Sequence, residues 1–423
     1  MHKHWTEQGA SKAVGARALT TSTFAFTVCF AVWTIFSIIG VALKEELSLT
    51  EVQFGLLVGT PVLTGSLVRV VLGVWTDRYG GRLVYTVTMI AAAASTALLA
   101  FAQSYEQLLL AALGVGIAGE SFAVGVAYVS RFYASNRQGT ALGIFGVGNV
   151  GSSVTKFLAP FVMLSWGWQS VALVWAGVLA LTALIFWCTA PEDPAPARSQ
   201  ARARSWSEEF GPLKDIRVWR FALYYFFAFG AFVALTLWLP RYLIGVYGFD
   251  IAAAGMVAAL YSIPASIFRA FGGTLSDKVG ARAVLYWTFG ISAVATLILA
   301  IPAGRYLVQG IDGPVTFAFA LAPPVFIVIT FVLGFAMSLG KAAVYKHIPT
   351  YYPGSVGVVG GLVGMIGGLG GFILPLLFGY LNDVTGMWTS CFMALFVLVV
   401  TLLAWMHVTV RRIERRAAMP QVA

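Results

Sequence analysis

Polar and apolar residues fall along this chain in blocks. Twelve predominantly apolar stretches lie at roughly 19–43, 53–76, 83–102, 107–130, 139–163, 168–189, 219–243, 253–276, 284–303, 315–345, 356–378 and 388–409. About 20 such residues are needed to cross a ~30 Å hydrocarbon core as a helix. The blocks therefore predict an all-α membrane protein with twelve transmembrane helices. One long polar segment, residues 190–218, is rich in Pro, Ser and Arg and separates six spans from six. It predicts a cytoplasmic linker between an N-terminal bundle (1–189) and a C-terminal bundle (219–423), with a short amphipathic helix around Trp206–Leu213.

The two halves repeat one another. Residues 69–82 read RVVLGVWTDRYGGR and residues 269–282 read RAFGGTLSDKVGAR. The shared positions are Arg69 and Arg269, Gly73 and Gly273, Asp77 and Asp277, Arg78 and Lys278, Gly80 and Gly280, and Arg82 and Arg282. Gly55 matches Gly255, Ser66 matches Ser266, and Phe26 and Phe30 match Tyr225 and Phe229 at i, i+4 spacing on one helix face. Span 5 carries Gly139, Gly143, Gly146, Gly148 and Gly151. Span 11 answers with Gly357, Gly360, Gly361, Gly364, Gly367, Gly368, Gly370 and Gly371. Small residues at such spacing let membrane helices approach closely and slide.

Composition agrees with a bilayer as solvent: 59% of residues are hydrophobic, 10% are charged, and mean hydropathy is +0.84. The three cysteines (Cys29, Cys188, Cys391) lie inside spans and imply no disulfide framework. The polar N-terminus is not that of a cleavable signal peptide. A net charge of +10 raises the possibility of a nucleic-acid partner, but its distribution argues against one. Only Lys44, Arg241 and Arg305 fall on the outer side, while the N-terminus, the even-numbered connections and the C-terminal RRIERR hold most of the Lys and Arg. Excess Lys and Arg mark the cytoplasmic side, so both termini are expected inside.

Five ionisable groups fall within the spans: Arg69, Glu120, Lys156, Arg269 and Lys341. Intramembrane charge is costly and by default functional. Arg69 and Arg269 each precede an aspartate by eight residues, which at ~1.5 Å per residue places both near the midplane. Arginine stays charged when buried and offers parallel donors, which suits a flat oxyanion. The alternative is that the arginines only pair with carboxylates between helices, yet Glu120 is the one carboxylate available there. Phe30, Phe122, Tyr225 and Phe229 would wall such a site, or simply pack. Glu120 either carries a proton or forms a permanent salt bridge to Lys341 or Lys156. His347, near the cytoplasmic end of span 10, is another candidate proton handler. No metal-ligand cluster or nucleophile–base arrangement is apparent, so neither an enzyme nor a metal or other cofactor is expected.

Parallel six-helix halves about an axis normal to the membrane, with G-x-x-x-D-[RK]-x-G-x-R loops after spans 2 and 8, resemble the major facilitator superfamily. Its loop motif would make Asp77, Arg78, Arg82, Asp277, Lys278 and Arg282 gating-loop residues. Residues 116–160, containing A-L-G-x-x-G-x-G-N-x-G as Ala141, Leu142, Gly143, Gly146, Gly148, Asn149 and Gly151, resemble the nitrate/nitrite porter family, the NarK-like branch. The glycine-rich run 357–371 is similar to that family's second signature. The resemblance implies nitrate or nitrite as substrate, Arg69 and Arg269 as substrate arginines, Asn149 as a contributor, and Tyr225, Phe229 and Phe122 as aromatic lining. It implies a monomer in the bacterial inner membrane. Glu120, Lys156 and Lys341 look like the branch that couples nitrate entry to protons. Moving an anion inward against a negative interior costs about 2.3 kcal/mol per 100 mV, which one accompanying proton cancels. Nitrate/proton symport is thus the expectation. The alternatives are nitrate/nitrite exchange, nitrite export, and an anion-sensing transceptor without flux, for which the linker is short.

Overall fold

Helix starts follow local chemistry. Thr50 Oγ1 accepts from the Gln53 N–H while the Gln53 side chain accepts from the Thr50 N–H, a reciprocal cap. Ser104 caps onto Gln107, Asp215 onto Arg217 and Asp250 onto Ala253. The protein is known from a computed structural model that describes residues 12–133, 135–193, 214–352 and 356–418. Most of the linker, including the helix expected at 206–213, lies outside the described residues.

Numbered by the twelve apolar blocks, segment 1 is Lys12–Trp33 continued by Phe36–Glu46, and segment 2 is Glu51–Leu67 continued by Arg69–Tyr79. Segment 3 is Gly81–Leu99, segment 4 Tyr105–Ser130, segment 5 Ser135–Gly146 with Gly151–Trp166, and segment 6 Trp168–Thr189. In the second half, segment 7 is Ile216–Tyr247 and segment 8 is Ile251–Ile267 with Arg269–Val279. Segments 9 to 12 are Ala281–Ala300, Pro323–Tyr351, Val356–Thr385 and Ser390–Ala418. Among the described residues, eleven helices are long and apolar enough to cross a membrane, and segment 2 is outside that number.

The tenth block differs from its expected bounds. Residues 315–319 belong to a hairpin, strand β1 (Gly304–Gly310) paired antiparallel with β2 (Gly313–Phe319). An apolar run does not by itself distinguish strand from helix. The β-branched and aromatic residues of VTFAF pair across the hairpin, and the helix starts only at Pro323–Pro324, where a fixed φ suits the first turn.

Six segments are interrupted along their length. Segments 2 and 8 break at single residues, Val68 and Phe268, immediately before Arg69 and Arg269. Segment 1 turns at Thr34–Ile35, segments 4 and 5 tighten into 3-10 turns at Gly116–Glu120 and Val147–Val150, and segment 7 widens into a π-helical turn at Phe226–Ala231. Such irregular turns gather at functional sites because they aim side chains and backbone groups that a regular helix keeps occupied.

The halves meet through contacts made twice. A Cβ on Gly55 would lie 2.4 Å from the Pro375 carbonyl oxygen, and one on Gly255 would lie 2.2 Å from that of Lys156. Within each half, Gly148 abuts Phe26 as Gly367 abuts Tyr225, and Gly151 abuts the Thr27 carbonyl as Gly370 abuts that of Phe226. At the ends of segments 2, 7 and 11 the halves are joined by polar groups. Arg241 Nη2 meets Glu51 Oε1 at 2.8 Å, Lys44 Nζ lies 3.4 Å from the same oxygen, and Asp383 accepts from the N–H groups of Glu51 and Val52 at 3.3 and 3.1 Å. This face, the Glu51 face, is closed.

The close approaches predict a local stability cost. Gly255→Ala should lower the detergent melting temperature by several degrees, equivalent to about 1–3 kcal/mol of overpacking. Gly290→Ala, whose Cβ meets nothing within 4 Å, should not lower it. Equal melting temperatures for Gly255→Ala and wild type would refute the tight interface.

Candidate anion site

Arg69 and Arg269 each begin a helix after a one-residue break, so both guanidinium groups leave the backbone where their segments bend. Arg69 is buried, and its Nη1 donates to the Gly364 carbonyl oxygen of segment 11 at 2.7 Å. Its Nε lies 3.7 Å from Glu120 Oε1. Neither that Nε nor either Glu120 oxygen has a hydrogen-bond partner among the described residues, so the contact is a buried ion pair. Arg269 packs its side chain along Gly146 and holds its guanidinium carbon 5.2 Å from the Phe122 ring centroid and 5.9 Å from that of Tyr345. Its Nη1 is buried without a hydrogen-bond partner.

Tyr345 stands between the two arginines. A Cβ on Gly364 would lie 2.9 Å from both the Tyr345 hydroxyl and Arg69 Nη1. The hydroxyl donates to the Gly360 carbonyl at 3.1 Å, and the ring meets Tyr225 edge-on at 4.9 Å. Tyr225 in turn stacks on Phe229, with centroids 5.2 Å apart, and covers Gly367. On the other side Phe122, Phe145 and Phe26 form a cluster with centroids 4.9–5.8 Å apart. Gly368 faces Ser66 and Arg69, and Gly148 faces Phe26. Asn149, in the 3-10 turn of segment 5, keeps its amide nitrogen buried and unpartnered. The arrangement sets two cations, one carboxylate and unpartnered donors of Arg269 and Asn149 among aromatic rings and bare glycine faces. Such donors suit a small anion.

The structure thus gathers Arg69, Arg269, Glu120, Phe122, Tyr225, Phe229, Gly146, Gly364, Gly367 and Gly368. Phe30 is one layer back, packed on Phe26 and Trp33. Gly151 serves helix packing, and Gly143 faces open space.

The expected partners of Glu120 are corrected. Lys156 Nζ donates to Ser262 Oγ at 2.5 Å and Lys341 Nζ to the Ala265 carbonyl at 2.6 Å, with Phe232 beneath it. Both lysines reach segment 8, while Glu120 pairs with Arg69 inside the first half. Segments 2 and 4 touch closely there, a Cβ on Gly116 falling 2.4 Å from the Pro61 carbonyl oxygen. His347 stacks on Phe221 at 5.3 Å, beside Tyr351, and is not brought to Glu120.

The repeated loops are held differently. Arg82 pairs with Glu192 and donates to the Trp187 carbonyl, over whose ring its guanidinium lies; Asp193 accepts from the N–H groups of Gly81 and Arg82 and pairs with Arg131 at 2.6 Å. In the second copy Arg282 lies 3.9 Å from Glu414, Asp277 pairs with Lys346, and Lys278 is exposed. The side chains of Asp77 and Arg78 lie outside the described residues. Sequence reasoning missed Tyr345 and Phe145. The signals were present: Tyr345 is four residues from Lys341, and Phe145 sits within the glycine signature of segment 5.

The family profile described as Major Facilitator Superfamily matches residues 21–321. A Thermus thermophilus protein named "Probable nitrate/nitrite antiporter NarK1" is 42% identical over 416 residues, covering 95% of this chain and 93% of its own. The "Nitrite extrusion protein" of Bacillus subtilis is 28% identical, with 92% and 94% covered. The "Probable nitrate transporter NarT" of Staphylococcus carnosus is 29% identical, with 93% and 97% covered. Among solved structures, an inward-facing, unoccupied bacterial homolog of the human lysosomal transporter Spinster superposes with a TM-score of 0.73 at 18% identity, covering 95% and 98%. That last likeness concerns the fold alone.

The Arg69–Glu120 pair predicts coupled stabilities. Arg69→Ala should lower the melting temperature, because it removes the Gly364 bond and strands a buried carboxylate. Adding Glu120→Ala should recover part of the loss, with a coupling of about 1–3 kcal/mol. Additive single and double variants would refute the pair.

Proposed function

Because the chain belongs to the major facilitator superfamily and, within it, to the nitrate/nitrite porters, we propose that it is a twelve-span protein of the bacterial cytoplasmic membrane, termini inside, that moves nitrate and nitrite by alternating access. Both anions are planar or bent, small and singly charged. The observation that carries the reading is the buried Arg269 Nη1 with no partner, facing aromatic rings, opposite a second arginine held on the Gly364 carbonyl. A planar oxyanion accepts from such donors in parallel, and the rings exclude water that would screen the charge.

Glu120 supports coupling to protons. Its carboxylate and an incoming anion compete for one guanidinium, that of Arg69. Protonating Glu120 frees Arg69, so proton and anion favour each other's binding by the same factor. The carboxylate oxygens have no other hydrogen-bond partner, so a proton there breaks no existing bond. In this reading Lys156 and Lys341 are held by segment 8 and do not titrate with Glu120, and His347 stands apart on Phe221. The motif loops, with Asp77, Arg78 and Arg82 in one copy and Asp277, Lys278 and Arg282 in the other, gate the cytoplasmic side. A second reading, exchange of nitrate for nitrite, is favoured by the name of the 42% identical relative. In that case the Arg69–Glu120 pair simply tunes the charge of the site.

Four outcomes are expected in proteoliposomes with internal pH recorded. Nitrate entry should acidify the lumen without internal nitrite; uptake that requires internal nitrite and moves no proton would establish exchange instead. The half-saturating nitrate concentration should rise as pH rises, since the deprotonated carboxylate reclaims Arg69. Glu120→Gln should flatten that dependence and abolish acidification while nitrate still binds. Arg69→Lys and Arg269→Lys should each weaken nitrate binding by about a hundredfold, because an ammonium offers no parallel fork. Unchanged affinity in both would remove the site.

A further inference from the structure

Lys156 is the largest physical cost not absorbed by the site just described. It is fully buried, its Nζ touches only the Ser262 hydroxyl among its recorded polar contacts, and Ser262 already donates to the Ala258 carbonyl. A buried ammonium with a neutral partner is unfavourable unless something else requires it.

Packing does not require it. The contact of segment 5 with segment 8 has a counterpart in the contact of segment 11 with segment 2. The Lys156 carbonyl meets Gly255 as the Pro375 carbonyl meets Gly55. In that counterpart Pro375 stands in place of Lys156, and Val62, 200 residues before Ser262, stands in place of the serine. Apolar residues thus occupy both positions at one interface, whereas a lysine and a serine occupy them, and meet, at the other.

Its depth is informative. Lys156 lies seven residues beyond Asn149, and Ser262 seven residues before Arg269, each about 10 Å from the site toward the closed Glu51 face. Going inward along segment 8, the chain meets Lys156 at Ser262, Lys341 at Ala265 and then Arg269 itself. The bond joins the two halves, so any parting of segments 5 and 8 on the Glu51 face removes the lysine's partner and opens it to the gap.

We propose that Lys156 is a further anion-contact residue: when the outer face opens it receives a small monovalent oxyanion and passes it to Arg69 and Arg269, and when the face closes it is parked on Ser262. The inference rests on the proposed transport of nitrate by the central site. Ser262 is a positioning residue that supplies a neutral, easily exchanged acceptor. A carboxylate there would hold the lysine permanently.

The test is nitrate flux from each face separately, in right-side-out and inverted membrane vesicles holding the full chain. Lys156→Met should raise the half-saturating nitrate concentration about tenfold from the outer face and less than twofold from the inner face. Lys156→Arg should restore the outer value to within about threefold. Ser262→Ala, which keeps the charge, should leave the outer value within twofold. Ser262→Asp, which captures the lysine without removing it, should raise the outer value as Lys156→Met does, and it decides the matter if the methionine variant does not accumulate. Equal rises from both faces, or an unchanged outer value in Lys156→Met or Ser262→Asp, overturn the proposal. Wild-type vesicles that carry no nitrate from either face overturn the transport reading and this inference with it. Wild-type flux without the side-specific loss overturns the inference alone.

Discussion

Everything at the centre of this molecule depends on an imbalance of buried charge. Arg69, Lys156 and Lys341 are buried and Arg269 is half-buried, and the carboxylate beside them, fully buried, is Glu120. Charges in a medium of low dielectric constant interact strongly and are costly to leave alone. The protein distributes the excess. Arg69 shares Glu120 and a carbonyl, both lysines rest on segment 8, and Arg269 is left with aromatic faces and a free donor.

Geometry reinforces this charge pattern through the duplicated halves. Each arginine follows a one-residue break, so two bends of equal register direct two guanidinium groups inward. The glycine contacts around them also occur as matched sets, which brings backbone carbonyls of one helix against the bare faces of another. Backbone approach of this kind draws the two arginines, their aromatic neighbours and the bare glycine faces into one small region.

The parts of this design that the sequence made legible are those the chain writes twice. Arg69 and Arg269, the segment 5 and segment 11 glycines, and the Tyr225–Phe229 spacing carry their geometry in their positions. Pairing was less legible, because it depends on long side chains choosing among neighbours that spacing does not rank. Lys156 and Lys341 reach a hydroxyl and a carbonyl on segment 8, and Glu120 takes the arginine of its own half. Tyr345 was passed over because its one sequence signal is its place four residues from Lys341, outside any of the repeated motifs. The hairpin at 304–319 was hidden because its second strand is apolar enough to extend the helix after it.

The repeated loop is held by unlike means in its two copies. In the first copy, Asp193 clamps the Gly81–Arg82 turn through two backbone N–H groups and Arg131, and the Tyr128 hydroxyl donates to the Pro191 carbonyl beside it. In the second, the contacts are exposed pairs at the ends of long side chains. Among the described residues, one copy of the loop is thus held through backbone groups and the other through side-chain ends. The half whose loop is clamped through its backbone is the half that carries Glu120 and Arg69.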